Sequence, residues 1–158
     1  MVVEVRSATI GDMDAIAWLC QVVQALPAEW FPGEFPPAAD EAALVMLLER
    51  NLGSIGVATL DGAPVGYVLF EVQKISATPF NFAIEQIFVH HLSVADEARR
   101  KGVATALVAY VHRRAHELGI DQLALARSAP NIAAQRFFEA QGFTNRHIFM
   151  QKALSKQS

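Results

Sequence analysis

Residues 94–105 are Val-Ala-Asp-Glu-Ala-Arg-Arg-Lys-Gly-Val-Ala-Thr, and a helical apolar pattern follows them. Apolar side chains recur at every fourth position, at Val103, Leu107, Val111 and Ala115. This spacing predicts a helix from Val103 to Leu118 with one buried face. Gly119 is expected to end it, because glycine favours the residue after a helix. The segment 94–105 therefore contains the start of this helix.

The start of this predicted helix is unusually basic. Three cations stand directly before it, namely Arg99, Arg100 and Lys101. A helix N-terminus has free N–H groups and a partial positive charge, so cations are unfavourable there unless an anion binds. A phosphate would be stabilised by these groups, and Gly102 has no Cβ to obstruct it. Two interpretations stay open: a phosphate site, or a solvated basic turn paired with the acidic residues 96–97.

The rest of the chain alternates between strand and helix patterns. Strands are predicted at residues 2–6, 54–60, 64–74, 82–94, 121–126 and 143–152. Further helices are predicted at 9–26, 40–50 and 131–141. Asp61-Gly62 is a hairpin signal, and Pro27 is expected to end the first helix. This order predicts an α/β (α+β) protein with a mixed sheet and packed helices, in a single domain over residues 1–158.

Composition limits the functions that this chain can have. Its 158 residues are 53% hydrophobic and 18% charged, which is typical of one globular domain. A net charge of -3 argues against nucleic acid as a partner. The apolar runs are too short for a membrane span, and the first residues do not resemble a signal peptide. Cys20 is the only cysteine, so we expect no internal disulfide, no metal site and a cytoplasmic location.

Two segments resemble the conserved blocks of the GNAT superfamily of N-acetyltransferases. The first is Arg99-x-x-Gly102-x-Ala104 after Leu92-x-Val94, which is similar to the acetyl-CoA signature of the family. The second is Asn131-x-x-Ala134 followed by Phe137-Phe138-Glu139-Ala140-Gln141-Gly142-Phe143. The resemblance implies a mixed, mostly antiparallel sheet with a central V-shaped splay, flanked by about four helices. It also implies an enzyme, and homodimers are frequent in the family.

The resemblance also implies how acetyl-CoA binds. The backbone of Leu92, Ser93 and Val94 would line the pantetheine arm. The pyrophosphate would be held by the amides of Arg99, Arg100, Lys101, Gly102, Val103, Ala104 and Thr105. Asn131, Ala134, Phe137 and Phe138 would contact the cofactor from the second block. One position departs from the family: Phe138 stands where a tyrosine usually acts as general acid. Ser128 or water could replace it, the thiolate could leave unaided, or the chain could be a non-catalytic binder.

The acceptor amine needs a base, because amines such as lysine (pKa about 10.4) are protonated near neutral pH. His90 is the first candidate, since it lies two residues before Leu92 and histidines in general titrate near neutral pH. His91 would point to the opposite face of a regular strand, which a bulge would change. Glu85 is the second candidate and would need a raised pKa. Both candidates could instead be ordinary strand residues.

The acceptor site is predicted in the proline-rich segment 27–37. Trp30, Phe31 and Glu34 would suit a cationic amine, through aromatic faces and a carboxylate. The same side chains could instead cap the core and face solvent. The acceptor would be a primary amine of a small molecule or a peptide, attacking acetyl-CoA directly in a ternary complex. A nucleotide-phosphate binder is disfavoured, because no Gly-x-x-x-x-Gly-Lys-Ser/Thr motif is present.

Overall fold

The computed structural model describes residues 2–155. In this range the chain forms five strands and four α-helices. The strands are β1 Val3–Ser7, β2 Ile55–Leu60, β3 Ala63–Ile75, β4 Ile84–Val94 and β5 Leu123–Leu125. The helices are α1 Met13–Trp30, α2 Glu41–Arg50, α3 Val103–Glu117 and α4 Ile132–Ala140. The chain divides into two compact units, one up to Ser128 and one from Ala129 onward.

The five strands form one sheet in sequence order. The first four pair antiparallel, and β5 pairs parallel to β4. Asp61 and Gly62 join β2 to β3 with φ angles of 50° and 88°, the left-handed pair that tight hairpins require. The predicted mixed, mostly antiparallel sheet with four helices is therefore confirmed.

The sheet opens between its last two strands. β5 pairs only with residues Ile87 to Val89 of β4. β4 continues to Val94 and stays paired with β3 on its other edge. Among the described residues, the second half of β4 therefore has no strand partner on the β5 side. Its backbone groups on that edge are available to another partner.

Helices α1 and α3 cover opposite faces of the sheet. A Cβ added to Gly66 of β3 would lie 3.1 Å from Val103 of α3. The neighbouring Tyr67 instead contacts Cys20 of α1 through its hydroxyl group. Successive strand residues point to opposite faces, so each helix packs on its own side. The apolar face of α3 is the one predicted from the sequence, with Val103, Leu107, Val111 and Ala115 all buried.

The structure shows two larger differences from the predicted elements. Helix α1 continues through Pro27 to Trp30, and the Phe31 amide donates to the Pro27 carbonyl at 2.8 Å. Proline cannot donate an N–H of its own, but its carbonyl still accepts, so the last turn closes. The strand predicted at 143–152 is absent, and this segment has no regular structure. An alternating pattern forms a strand only when a neighbouring strand pairs with it.

Candidate active site

A β-bulge shapes the second half of β4. Leu69 of β3 pairs with His91, and the next residue, Phe70, pairs with Val89. His90 is therefore an extra residue, which shifts the alternation of side chains. Both histidines consequently lie on the face that α1 covers, whereas a regular strand would point them to opposite faces.

On this face, His90 and His91 have different contact partners. The His90 ring lies 4.9 Å from the Phe88 ring, and its Nε2 lies 3.4 Å from a Glu71 carboxylate oxygen. His91 Nδ1 lies 3.0 Å from the Tyr67 hydroxyl oxygen. The His90 side chain is 39% exposed. The pKa of His91, in contrast, is lowered by burial and, to a smaller extent, by the charge of His90. The face therefore combines one solvated imidazole with one that is neutral at pH 7.

Tyr67 links His91 to helix α1. Its hydroxyl oxygen lies 2.8 Å from Cys20 Sγ, and both side chains are buried. Burial raises the pKa of the Tyr67 hydroxyl and of the Cys20 thiol. Cys20 is therefore a buried neutral thiol, as expected for its apolar helical stretch. Sequence reasoning missed Tyr67, although a tyrosine within an apolar strand usually needs a partner for its hydroxyl.

Glu85 lies away from the two histidines. It shares its strand face with the buried Ile87 and Val89, opposite to His90. Its carboxylate lies 3.9 Å from the Lys74 ammonium group. The structure therefore does not bring the two candidate bases, Glu85 and His90, to one side of the sheet.

The start of α3 has an unusual backbone. Arg100 and Gly102 are both left-handed, with φ angles of 63° and 79°. Gly102 is the cap residue, and no side chain caps the helix there. The Ala106 amide makes the first helical bond, to the Gly102 carbonyl at 3.0 Å, so the amides of residues 103–105 precede the helical ladder. A Cβ on Gly102 would meet no atom within 4 Å, so the backbone there is open to a ligand.

The charges around this helix start are only partly paired. Arg99 forms an ion pair of 3.1 Å with Asp96, as the basic-turn interpretation expects. Arg100 and Lys101 are exposed and have no ion pair among the described residues. The first turn of α3 contains no acidic residue. Open amides beside two unpaired cations fit a phosphate group.

The second predicted block forms helix α4 in the unit that begins at Ala129. Asn131 caps this helix, since its side-chain oxygen accepts from the Ala134 amide at 3.0 Å. The Phe138 ring lies 5.1 Å from the Phe137 ring and 5.5 Å from the Phe143 ring. These contacts give the block a structural role within its own unit, and its contacts with a cofactor stay a prediction.

The predicted acceptor residues lie at the end of α1. Trp30 is the last residue of the helix and is half-buried, while Phe31 and Glu34 are exposed in the following turn. Within residues 2–155 no hydrogen bond, ion pair or ring contact joins these three to His90 or His91. Their part in acceptor binding stays a prediction.

No helix in the described range is both long and apolar enough to cross a bilayer.

Comparison with protein families identifies the class. The model of the acetyltransferase (GNAT) family matches residues 20–143. The chain therefore belongs to the GNAT acetyltransferase family. A comparison with curated protein sequences gives no match.

Solved structures share the fold. A mutant of the BH1408 protein from Bacillus halodurans has a TM-score of 0.83 at 16% identity, covering 98% of this chain and 100% of that one. AAC(6')-Iy, an aminoglycoside N-acetyltransferase, in complex with CoA has a TM-score of 0.72 at 21% identity, covering 97% and 96%. Ribosomal-protein-alanine N-acetyltransferase from Brucella melitensis biovar Abortus 2308 has a TM-score of 0.68 at 21% identity, covering 98% and 100%. At these identities the likeness concerns the fold alone.

Proposed function

We propose that this chain is an N-acetyltransferase that moves the acetyl group of acetyl-CoA to a primary amine, with both substrates bound together. The observation that carries the proposal is the start of α3. Open amides and the unpaired cations Arg100 and Lys101 stand there. They come directly after the half of β4 that carries His90 and that, among the described residues, has no strand partner on the β5 side. An anion site and a proton acceptor thus follow one another along the chain.

The residues at this place fit a CoA thioester. The amides of 102–105, with Arg100 and Lys101, would hold the pyrophosphate. The unpaired edge of Leu92–Val94 would offer backbone groups to the amides of the pantetheine arm. Bound acetyl-CoA supplies an acetyl group activated as a thioester. Asn131, Ala134, Phe137 and Phe138 would contact the cofactor, as the family resemblance implies.

His90 would accept the proton of the acceptor amine, directly or through a water molecule. The Glu71 carboxylate, 3.4 Å from its Nε2, would stabilise the imidazolium that forms. The amine nitrogen then bonds the acetyl carbon, the carbon–sulfur bond breaks, and the thiolate takes its proton from solvent or from the imidazolium. Glu85 is the weaker candidate, since it lies on the opposite face of β4.

The acceptor is a primary amine of a small molecule or a peptide. The names of two structural relatives point to both kinds, one to aminoglycosides and one to the alanine of a ribosomal protein. Trp30, Phe31 and Glu34 are proposed as its binding wall, because two aromatic faces and a carboxylate suit a cation. A cytoplasmic location and a homodimer also stay predictions.

One observation favours a second function, a non-catalytic acyl-CoA-binding module. Phe138 provides no hydroxyl group where the family usually has a tyrosine. A chain that binds acetyl-CoA and releases no thiol would fit this alternative.

Thiol release from acetyl-CoA, followed with a thiol-reactive dye, tests the proposal. The amine panel contains polyamines, aminoglycosides, amino acids and peptides with N-terminal alanine, and calorimetry measures CoA binding in parallel. Release that depends on an amine supports the enzyme and gives the acceptor class. CoA binding without release from any amine favours the binding module, and the absence of CoA binding overturns both.

A further inference from the structure

We infer that His91 is a second functional histidine of this site, a neutral hydrogen-bond donor through Nε2–H to the thioester carbonyl oxygen. Tyr67 and Cys20 are the positioning residues that keep the ring hydrogen on Nε2. The inference rests on the proposed function, because it adds a donor to the acetyl-transfer site. It starts from the bulge that brings His90 and His91 to one face of β4.

The three side chains form a continuous hydrogen-bonded series, in which Cys20 and Tyr67 are buried and His91 is half-buried. Cys20 Sγ lies 2.8 Å from the Tyr67 hydroxyl oxygen, and that oxygen lies 3.0 Å from His91 Nδ1. Tyr67 has no exposed surface and Cys20 has 4%, so water does not compete for the bond between these two. The series therefore runs from inside helix α1 to the half of β4 that has an open edge.

Relative hydrogen-bond strengths indicate which group donates in each of the two bonds. An imidazole nitrogen is a strong acceptor, whereas a thiol sulfur accepts and donates weakly. The Tyr67 hydroxyl therefore donates to His91 Nδ1, and the Cys20 thiol donates to the Tyr67 oxygen. A neutral imidazole carries one hydrogen, which then stays on Nε2. Burial supports the neutral form, since it lowers the pKa of His91.

The free end of the series is the Nε2–H group. Among the described residues this nitrogen has no hydrogen-bond partner. A fixed donor of this kind stabilises negative charge that develops on a carbonyl oxygen, and a neutral imidazole can fill this role. The donor keeps its proton throughout, so His91 adds no proton transfer to the reaction.

The two adjacent histidines then have separate tasks. Exposed His90, beside Glu71, would accept the proton of the amine, whereas half-buried His91, beside Tyr67, holds its hydrogen in place. Different environments are a recurring way to give two titratable groups separate tasks in one active site. The bulge is necessary, because a regular strand would point one of the two away.

Nitrogen NMR of the histidine rings tests the inference in the unmodified protein. At neutral pH we expect His91 Nε2 to carry the hydrogen and Nδ1 to carry none. Adding acetyl-CoA should shift the His91 Nε2–H resonance, and adding CoA, which lacks the carbonyl oxygen, should leave it nearly unchanged. A hydrogen found on Nδ1, or identical responses to the two ligands, would overturn the inference.

Tyr67→Phe tests the positioning role, with Tyr110→Phe as the matched control. Tyr110 is on α3, and its ring packs against Phe70 on the other sheet face. We expect Tyr67→Phe to mix the two neutral forms of His91 and to lower kcat about 10-fold at unchanged KM for acetyl-CoA. The control should change neither quantity. An unchanged His91 spectrum in Tyr67→Phe would refute the positioning role.

His91→Gln and His91→Ala separate donation from packing. Glutamine keeps an N–H donor, so its kcat should fall less than that of the alanine variant. Equal losses would remove the donor role. A wild-type protein that binds acetyl-CoA and releases no thiol would refute the proposed function, while the NMR spectra would still decide which nitrogen carries the hydrogen and whether the carbonyl oxygen meets it.

Discussion

Helices α2 and α3 begin in opposite ways. Asp40 caps α2 by accepting from the Ala43 amide at 2.8 Å, and Glu41 adds negative charge to the first turn. Helix α3 begins at Gly102 with no side-chain cap, no acid in its first turn and cations before it. The free N–H groups and the dipole at the start of α2 are therefore stabilised by side chains of the helix start itself. Among the described residues, the start of α3 has no such side-chain cap, and the proposed phosphate site would supply the missing anion.

The two ends of α3 also differ from each other. Gly119 follows the helix with a φ of 70°, close to the 79° of Gly102, and both positions are open. Arg114 and His116 in the last turn agree with the helix dipole. Glycine and basic residues at the C-terminal end therefore have a structural explanation that their counterparts at the N-terminal end lack.

The largest effect is expected from Gly102→Glu. A carboxylate at the proposed pyrophosphate position should weaken CoA binding by more than about 100-fold, measured by calorimetry. Gly119→Glu is the matched control, because it introduces the same side chain at a similar backbone angle. The control should bind CoA like wild type. Wild-type affinity in Gly102→Glu would show that the pyrophosphate lies elsewhere.

His90→Ala tests the proposed proton acceptor independently of CoA binding at the start of α3. We expect kcat to fall about 100-fold and its pH profile to change, because the proton acceptor is gone. CoA affinity should stay unchanged, since the cations before α3 are intact. His112→Ala, which removes an exposed histidine of α3, is the control for the steady-state measurements. A pH profile identical to that of wild type would exclude His90 as the base.

The double variant Arg100→Ala, Lys101→Ala tests the charges alone. Exposed ion pairs contribute little, so we expect CoA binding to weaken about 3- to 10-fold, with the difference shrinking at high salt. Arg113→Ala with Arg114→Ala removes the same charge near the other end of α3 and should leave the affinity nearly unchanged. Equal losses in both double variants would indicate a general charge effect with no local site.

The entry to α1 also contains a carboxylate and provides a pH test. Asp12 accepts from both terminal nitrogens of Arg6, at 2.7 and 2.9 Å, and from the Thr9 amide. The bond to Arg6 lowers the pKa of Asp12 to about 2. A lowered pKa means that this stabilisation is complete above about pH 4 and is lost as the pH falls towards 2. Chemical denaturation should show wild type losing about 1 to 2 kcal/mol more than Asp12→Asn over that range.

The smallest effect on the site is expected from Asp40→Ala. Losing this cap should lower the free energy of unfolding by about 1 kcal/mol, measured by chemical denaturation. CoA affinity should not change, because α2 has a structural cap and no ligand. A clear loss of CoA affinity would contradict the contrast between the two helix starts.

Much of the fold could be predicted because local patterns determine it. The buried face of α3 follows from helical spacing, and the β2–β3 hairpin follows from Asp61-Gly62. The bulge could not be predicted, because one extra residue at His90 leaves the hydrophobic pattern of β4 almost unchanged. The link from Cys20 through Tyr67 to His91 joins residues far apart in sequence, and no periodicity encodes it.

The central claim is that the start of α3 binds the pyrophosphate of CoA. The most direct measurement is a titration with CoA, followed by the backbone amide resonances of the protein. We expect the largest shifts at residues 100–105, with the start of α2 at 41–43 nearly unchanged. Saturable binding without shifts at 100–105 would contradict it.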